Sequence, residues 1–74
     1  MMPAQHEERM SGTVARLIQS KGFGFIRADT GVELFLHMSN CLPGVWEQLA
    51  EGTAVTFVAT STAKGSRAVL VRLA

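Results

Sequence analysis

Short runs of β-favouring residues, each followed by turn residues, are the feature that most restricts how this chain can fold. The five runs cover residues 13–19, 22–28, 33–37, 54–60 and 67–73. Turn residues such as Asp29-Thr30-Gly31 and Lys64-Gly65 separate them. The longest connection holds only one candidate helical turn, at 46–50, so βαβ units are excluded. We therefore predict an all-β fold, a five-stranded antiparallel β-barrel that protects its strand edges by closure.

The chain has 74 residues, which supports one domain with a modest core. Residues 1–11 show no periodicity and are predicted to form a flexible tail, so that the domain covers 12–74. The sequence contains neither a transmembrane segment nor a secretory signal, and we expect a cytoplasmic protein. The single cysteine, Cys41, excludes an internal disulfide. A folded monomer is expected.

The strand at 22–28 predicts two chemically different faces, because side chains alternate across a β-strand. One face carries Phe23 and Phe25 between two cations, Lys21 and Arg27, whereas the other carries only small or aliphatic residues. Lys and Arg are almost never fully buried without partners. The face with the two phenylalanines is therefore predicted to be exposed to solvent.

The next strand repeats this pattern. Phe35 shares its face with Glu33 and His37, while Leu34 and Leu36 lie on the opposite face. Burying the aromatic faces would bury their charged residues at a cost of roughly several kcal/mol each. The core is predicted to consist instead of Val14, Ile26, Leu34, Leu36, Val55, Phe57, Val69 and Val71.

Together the two strands predict an exposed patch of aromatic rings with cations nearby. Such rings stack on nucleobases at about 1–3 kcal/mol per base, with little sequence specificity. The partner is expected to be single-stranded, because duplex bases are already stacked and hidden. The net charge of +1 makes bulk electrostatic attraction a minor contribution.

Two motifs resemble the cold-shock domain family. Lys21-Gly22-Phe23-Gly24-Phe25-Ile26 is similar to the first ribonucleoprotein motif of that family, and Leu34-Phe35-Leu36-His37 to the second. The likeness extends over about residues 10–73. It implies a five-stranded OB-type barrel that binds single-stranded RNA or DNA. Such a module can act as an RNA chaperone by trapping unpaired segments.

The chain also departs from the family pattern. Ala15 and Arg16 stand where the family has a basic residue followed by tryptophan, and Met38 replaces the aromatic after the motif histidine. Trp46 could either supply a further stacking platform or cover the end of the barrel. Weaker binding than in a member with every aromatic is expected. The predicted nucleic-acid-binding residues are Arg16, Lys21, Phe23, Phe25, Arg27, Phe35, His37, Met38, Trp46 and Lys64.

Other functions have less support in the sequence. No nucleophile is paired with a visible base, so we predict that the protein is not an enzyme. His37 and Cys41 lack the further ligands of a metal site, and no cofactor is predicted. A protein-interaction or self-association module on the same barrel face stays open as the alternative, because Arg16 and Met38 make the stacking surface incomplete.

Overall fold

The computed structural model describes residues 9–74, and in it five strands form a closed barrel. Three short 3-10 turns lie at Gln19–Lys21, Met38–Asn40 and Trp46–Gln48. The predicted all-β class and five-strand count are confirmed. The strands are β1 (Arg9–Ile18), β2 (Phe23–Ala28), β3 (Glu33–His37), β4 (Ala54–Thr62) and β5 (Gly65–Leu73).

The strands follow the order β1-β2-β3-β5-β4 around the barrel. Pairing is antiparallel between β1 and β2, β1 and β4, β2 and β3, and β4 and β5. Only β3 and β5 run parallel, through the pairs Phe35–Arg67 and Leu36–Ala68. The prediction that all strands pair antiparallel is therefore wrong for one pair, β3 and β5, which closes the barrel. A parallel pair is allowed there because β3 and β5 are far apart in sequence and no hairpin joins them.

The first strand begins earlier than predicted. Residues 9–11 belong to β1 and pair with Val58, Phe57 and Thr56 of β4, so this part of the predicted tail is wrong. Residues 1–8 of that tail lie outside the described part of the chain. The Arg9 guanidinium also donates hydrogen bonds to the Leu70 carbonyl, at 2.7 Å, and to Thr56 Oγ1, at 3.2 Å. These long-range partners cannot be read from local periodicity.

The barrel interior is filled largely by the predicted residues. One exception is Val69, which is only half-buried, whereas Ala68 and Val71 are fully buried. The alternation breaks because Leu70 and Val71 both lie opposite Phe57 in a β-bulge, with Leu70 at a φ of 52°. The buried hydrophobic core comprises Val14, Ile26, Ala28, Leu34, Leu36, Val45, Trp46, Leu49, Val55, Phe57, Ala68 and Val71.

Gly24 allows β1 and β2 to approach closely next to the aromatic rings. The register of β1 against β2 shifts between Val14 and Arg16. This is a second irregularity in the sheet, besides the bulge at Leu70. A Cβ atom at Gly24 would overlap the Arg16 carbonyl oxygen and would lie 3.2 Å from the Leu17 Cα. Both groups are backbone and cannot rotate away. Only glycine fits at this position without separating the two strands.

Replacement of Gly24 by alanine should therefore destabilise the barrel. For Gly24→Ala we expect a loss of roughly 2–3 kcal/mol in the free energy of unfolding, because the new methyl group displaces backbone. Urea unfolding followed by the fluorescence of buried Trp46 measures the loss. Thr60→Ser changes one methyl group at an exposed position and should stay within about 0.5 kcal/mol. Equal stability of the two variants would contradict the close-packing argument.

Candidate nucleic-acid interface

The pairing of β2 with β3 brings the predicted aromatic residues together on the outside of the barrel. Phe23 lies directly opposite His37, and Phe25 lies directly opposite Phe35. Residues directly opposite each other in an antiparallel pair have side chains on the same face. All three phenylalanines are half-buried and His37 is exposed, in agreement with the two-face prediction. We call these four residues the aromatic patch.

The rings of the aromatic patch contact one another and form one continuous surface. Phe23 and Phe35 are stacked, with ring centroids 6.0 Å apart and planes 25° apart. Phe25 meets Phe35 edge-on at 5.9 Å and Phe23 edge-on at 6.4 Å. His37 lies 6.4 Å from Phe35 with a 33° tilt. These spacings are typical of favourable aromatic pairs, so the rings hold each other in place before any ligand arrives.

The His37 ring presents a defined edge to solvent. Its Nδ1 accepts a hydrogen bond from the Ser39 backbone N–H at 3.1 Å and lies 2.8 Å from Ser39 Oγ. A neutral ring that accepts at Nδ1 carries its hydrogen on Nε2. His37 therefore offers an N–H donor beside the phenylalanine rings.

Met38 and Lys21 lie at the Phe23 end of the aromatic patch. Met38 is 47% exposed, and its backbone N–H donates to the Gly22 carbonyl at 2.9 Å. Gly22 adopts a φ of 77°, and a Cβ there would lie 2.8 Å from the Met38 sulfur. Lys21 is exposed in the turn just before Gly22. Lys21 and the Met38 side chain thus both lie next to Gly22, the residue that precedes Phe23.

A groove on the β1 side of Phe25 contains three charged side chains. It has a volume of about 350 Å³ and is lined by Ala15, Arg16, Phe25, Arg27 and Glu33. Arg16 lies opposite Phe25 in the β1–β2 ladder. Arg27 and Glu33 form an ion pair at 3.0 Å, with side chains 63% and 50% exposed. A pair this exposed contributes at most about 1 kcal/mol to stability.

A second groove lies on the other side of Phe25, toward the β4–β5 hairpin. It has a volume of about 380 Å³ and is lined by Phe25, Phe35, Thr62, Lys64, Gly65, Ser66 and Arg67. Lys64 is thereby brought beside the aromatic rings, next to Arg67. Sequence reasoning missed Arg67, because only the parallel closure of the barrel places this residue opposite Phe35. No local sequence signal identifies that neighbour.

Trp46 does not join the aromatic patch. Its side chain is only 8% exposed and belongs to the core with Val45 and Leu49. The loop that carries these residues is tied to β5 by a 2.9 Å hydrogen bond from the Leu42 N–H to the Val71 carbonyl. Burial of Val45, Trp46 and Leu49 stabilises the fold by removing apolar surface from water. Exposing Trp46 as a stacking platform would lose part of this stabilisation. Of the two roles left open by the sequence, the structure gives Trp46 the structural one.

The chain is similar in sequence to known proteins of one family. Residues 10–74 match the family model described as "'Cold-shock' DNA-binding domain". Cold shock protein CapB of Pseudomonas syringae pv. tomato is 40% identical over 60 residues, which cover 81% of this chain and 87% of that protein. Cold shock protein ScoF of Streptomyces coelicolor is 46% identical over 59 residues, covering 78% and 88%.

A solved structure has the same fold. The chain titled "drosophila Unr CSD456" superposes with a TM-score of 0.76 at 26% sequence identity. The alignment covers 92% of this chain but only 27% of the other, so this chain spans about a quarter of that structure. The similarity to a cold-shock domain structure confirms the predicted OB-type barrel.

Within 9–74, no group of three or more His, Cys, Asp or Glu side chains is placed to hold a metal ion. The same residues include no helix with the length and apolar character that a membrane crossing requires.

Cys41 directly follows the 3-10 turn Met38–Asn40, which His37 caps at its start. The Cys41 side chain is half-buried. Burial raises the pKa of its thiol from 9.0 to about 11, and the nearby Glu47 carboxylate adds to the effect. Both causes act in the same direction, because each disfavours the thiolate. The side chain is therefore a thiol, not a thiolate, at neutral pH.

Alkylation should be slow in the folded protein. At pH 8, iodoacetamide is expected to modify Cys41 at least about tenfold more slowly in the native state than in urea, since the raised pKa lowers the thiolate fraction. The native rate should keep rising as the pH approaches 11. Mass spectrometry of timed samples measures both rates, with N-acetylcysteine as the control for the effect of urea. Equal native and unfolded rates would be inconsistent with the raised pKa.

Proposed function

We propose that the aromatic patch of this chain, which belongs to the cold-shock domain family, binds single-stranded RNA or DNA by stacking. Membership rests on the match over residues 10–74, which confirms the resemblance of the two sequence motifs. The family is a nucleic-acid-binding one. One observation carries the proposal: three half-exposed phenylalanine rings and His37 form a single surface flanked by cations.

Stacking explains both the affinity and the low sequence specificity expected of this surface. Every base has a flat π-face, and each stacked base contributes about 1–3 kcal/mol. Phe23, Phe25 and Phe35 already hold each other through ring contacts, so little side-chain freedom is lost on binding. Duplex bases cannot reach these rings, which favours unpaired segments.

Cations beside the rings supply charge-assisted contacts to the bound strand. Arg16 and Arg27 line one groove, and Lys64 and Arg67 line the other. Because the whole chain has a net charge of only +1, these local cations matter more than the overall field. A single strand lying across the aromatic patch would meet positive charge on both sides of Phe25.

A broader role follows from the same chemistry. A module that binds unpaired segments shifts RNA folding equilibria by mass action, as an RNA chaperone does. This role, the monomeric state, the cytoplasmic location and the lack of enzymatic activity stay predictions. Self-association through the aromatic patch is the alternative, and sedimentation with and without oligonucleotide distinguishes the two functions. Self-association that excludes oligonucleotide would favour the alternative.

Removal of single rings tests the stacking proposal. Phe23→Ala, Phe25→Ala and Phe35→Ala should each weaken binding to oligo-dT and oligo-U by roughly 5- to 150-fold, which corresponds to about 1–3 kcal/mol per lost stack. Fluorescence anisotropy of labelled oligonucleotide at low salt measures the affinity. Trp46 serves as a separate reporter of folding, since it is buried away from the patch.

Leu73→Ala provides the matched control, because Leu73 is an exposed apolar residue outside the patch. Its affinity should equal that of the unmodified protein, and duplex DNA should bind poorly to every variant. Failure of the unmodified protein to bind any single strand would overturn the proposal. So would ring variants that stay folded and bind with unchanged affinity.

The salt dependence of binding tests the role of Arg67. The slope of log K against log salt concentration is negative, and Arg67→Gln should make it shallower by about 0.7. This is the value expected for the loss of one phosphate contact in a single strand. Arg72→Gln removes the same charge from an exposed residue that lines neither groove, and should leave the slope unchanged. Affinities measured from 50 to 300 mM salt, roughly the range in which such slopes are linear, provide the comparison. Identical slopes for the two variants would show that Arg67 makes no phosphate contact.

A further inference from the structure

We propose that the groove lined by Arg16, Phe25, Arg27 and Glu33 selects guanine at one position of the bound strand. This inference rests on the proposed function and adds a base preference to it. The groove differs from the rest of the interface because it contains a carboxylate as well as cations. The second groove is lined by Lys64 and Arg67 without an acidic residue.

The groove has the size and shape to accept a base. Its volume of about 350 Å³ lies within the roughly 300–1,000 Å³ typical of small-molecule sites. Phe25 supplies a half-buried ring as one wall, and the small side chain of Ala15 leaves space beside it. A base that stacks on Phe25 would therefore lie among the three charged groups.

The strand order places opposite charges on the two sides of that base. Arg16 is on β1 and Glu33 on β3, with β2 and its Phe25 between them. Two strand spacings separate β1 from β3 by roughly 10 Å. Long side chains on these two strands can therefore reach different edges of a base that stacks on Phe25.

Arg16 suits the Hoogsteen edge of guanine. A guanidinium fork donates two parallel hydrogen bonds to O6 and N7, which are both acceptors. The structure gives the Arg16 side chain no hydrogen-bond partner among residues 9–74. Adenine presents its N6 amino donor at the same edge, and pyrimidines lack N7 altogether.

Glu33 suits the Watson–Crick edge of the same base. Its Oε2 accepts from Arg27 at 3.0 Å, while Oε1 has no partner within the described residues. The ion pair holds the carboxylate at the groove. A carboxylate accepts from the N1–H and N2 amino donors of guanine, and single strands leave this edge free. Among the four bases, only guanine combines two acceptors on one edge with two adjacent donors on the other.

Oligonucleotides with one variable base test the preference. Hexamers of dT with a single G, A or C at each position in turn are titrated by anisotropy at fixed salt. At one position, G should bind roughly tenfold more tightly than A or C. If all hexamers bind equally, the guanine subsite is overturned and the stacking function stands. If no hexamer binds, the proposed function fails and the subsite fails with it.

Base analogues assign each edge to its residue. Replacing the guanine with 7-deazaguanine removes N7, and replacing it with inosine removes the N2 amino group. Each change should cost most of the tenfold preference in the unmodified protein. Arg16→Met should abolish the effect of 7-deazaguanine, and Glu33→Met should abolish the effect of inosine, because a thioether has neither the donors of arginine nor the carboxylate oxygens of glutamate.

Matched variants separate these contacts from changes in charge or folding. Arg72→Met and Glu47→Met make the same substitutions at exposed residues outside the groove and should keep both analogue effects. Trp46 fluorescence during urea unfolding verifies that Arg16→Met and Glu33→Met remain folded. Analogue effects that persist in the folded Arg16→Met and Glu33→Met variants would overturn the assignment.

Discussion

Alternation of side chains across the β2–β3 hairpin is the constraint on which the rest of the structure depends. Ile26, Leu34 and Leu36 are fully or almost fully buried inside the barrel. Their burial fixes the register of both strands, because a slip of one residue would move every side chain to the opposite face. Phe23 and Phe35 must then lie outside, in contact with each other. Core packing and the exposed rings are thus two results of the same pairing.

Closure of the barrel determines what surrounds those rings. On one side, Gly24 allows β1 close to β2 and brings Arg16 opposite Phe25. On the other, the parallel contact between β3 and β5 places Arg67 opposite Phe35. The rings therefore lie between two grooves that both carry cations but differ in acidic residues. The proposed selection of guanine rests on that difference.

Arg16 and Met38 stand where the resemblance to the family implies aromatic residues. Arg16 replaces a ring with a planar, charged donor, and Met38 replaces one with a flexible thioether that is still exposed beside the patch. Since Trp46 is buried, it does not compensate for either loss. The groove beside Phe25 is accordingly lined by the charged, hydrogen-bonding side chains of Arg16, Arg27 and Glu33.

The sequence by itself determined the strand count, the family and the exposure of Phe23, Phe25 and Phe35, because alternation and neighbouring charges are local properties. Tertiary structure alone decided the position of Arg67 opposite Phe35, the burial of Trp46 and the pairing of residues 9–11 with β4. Each of these depends on which distant strand or loop packs alongside. The bulge at Leu70, which leaves Val69 half-buried, likewise depends on how β5 pairs with β4. Contacts between distant segments leave no periodic signal in the sequence.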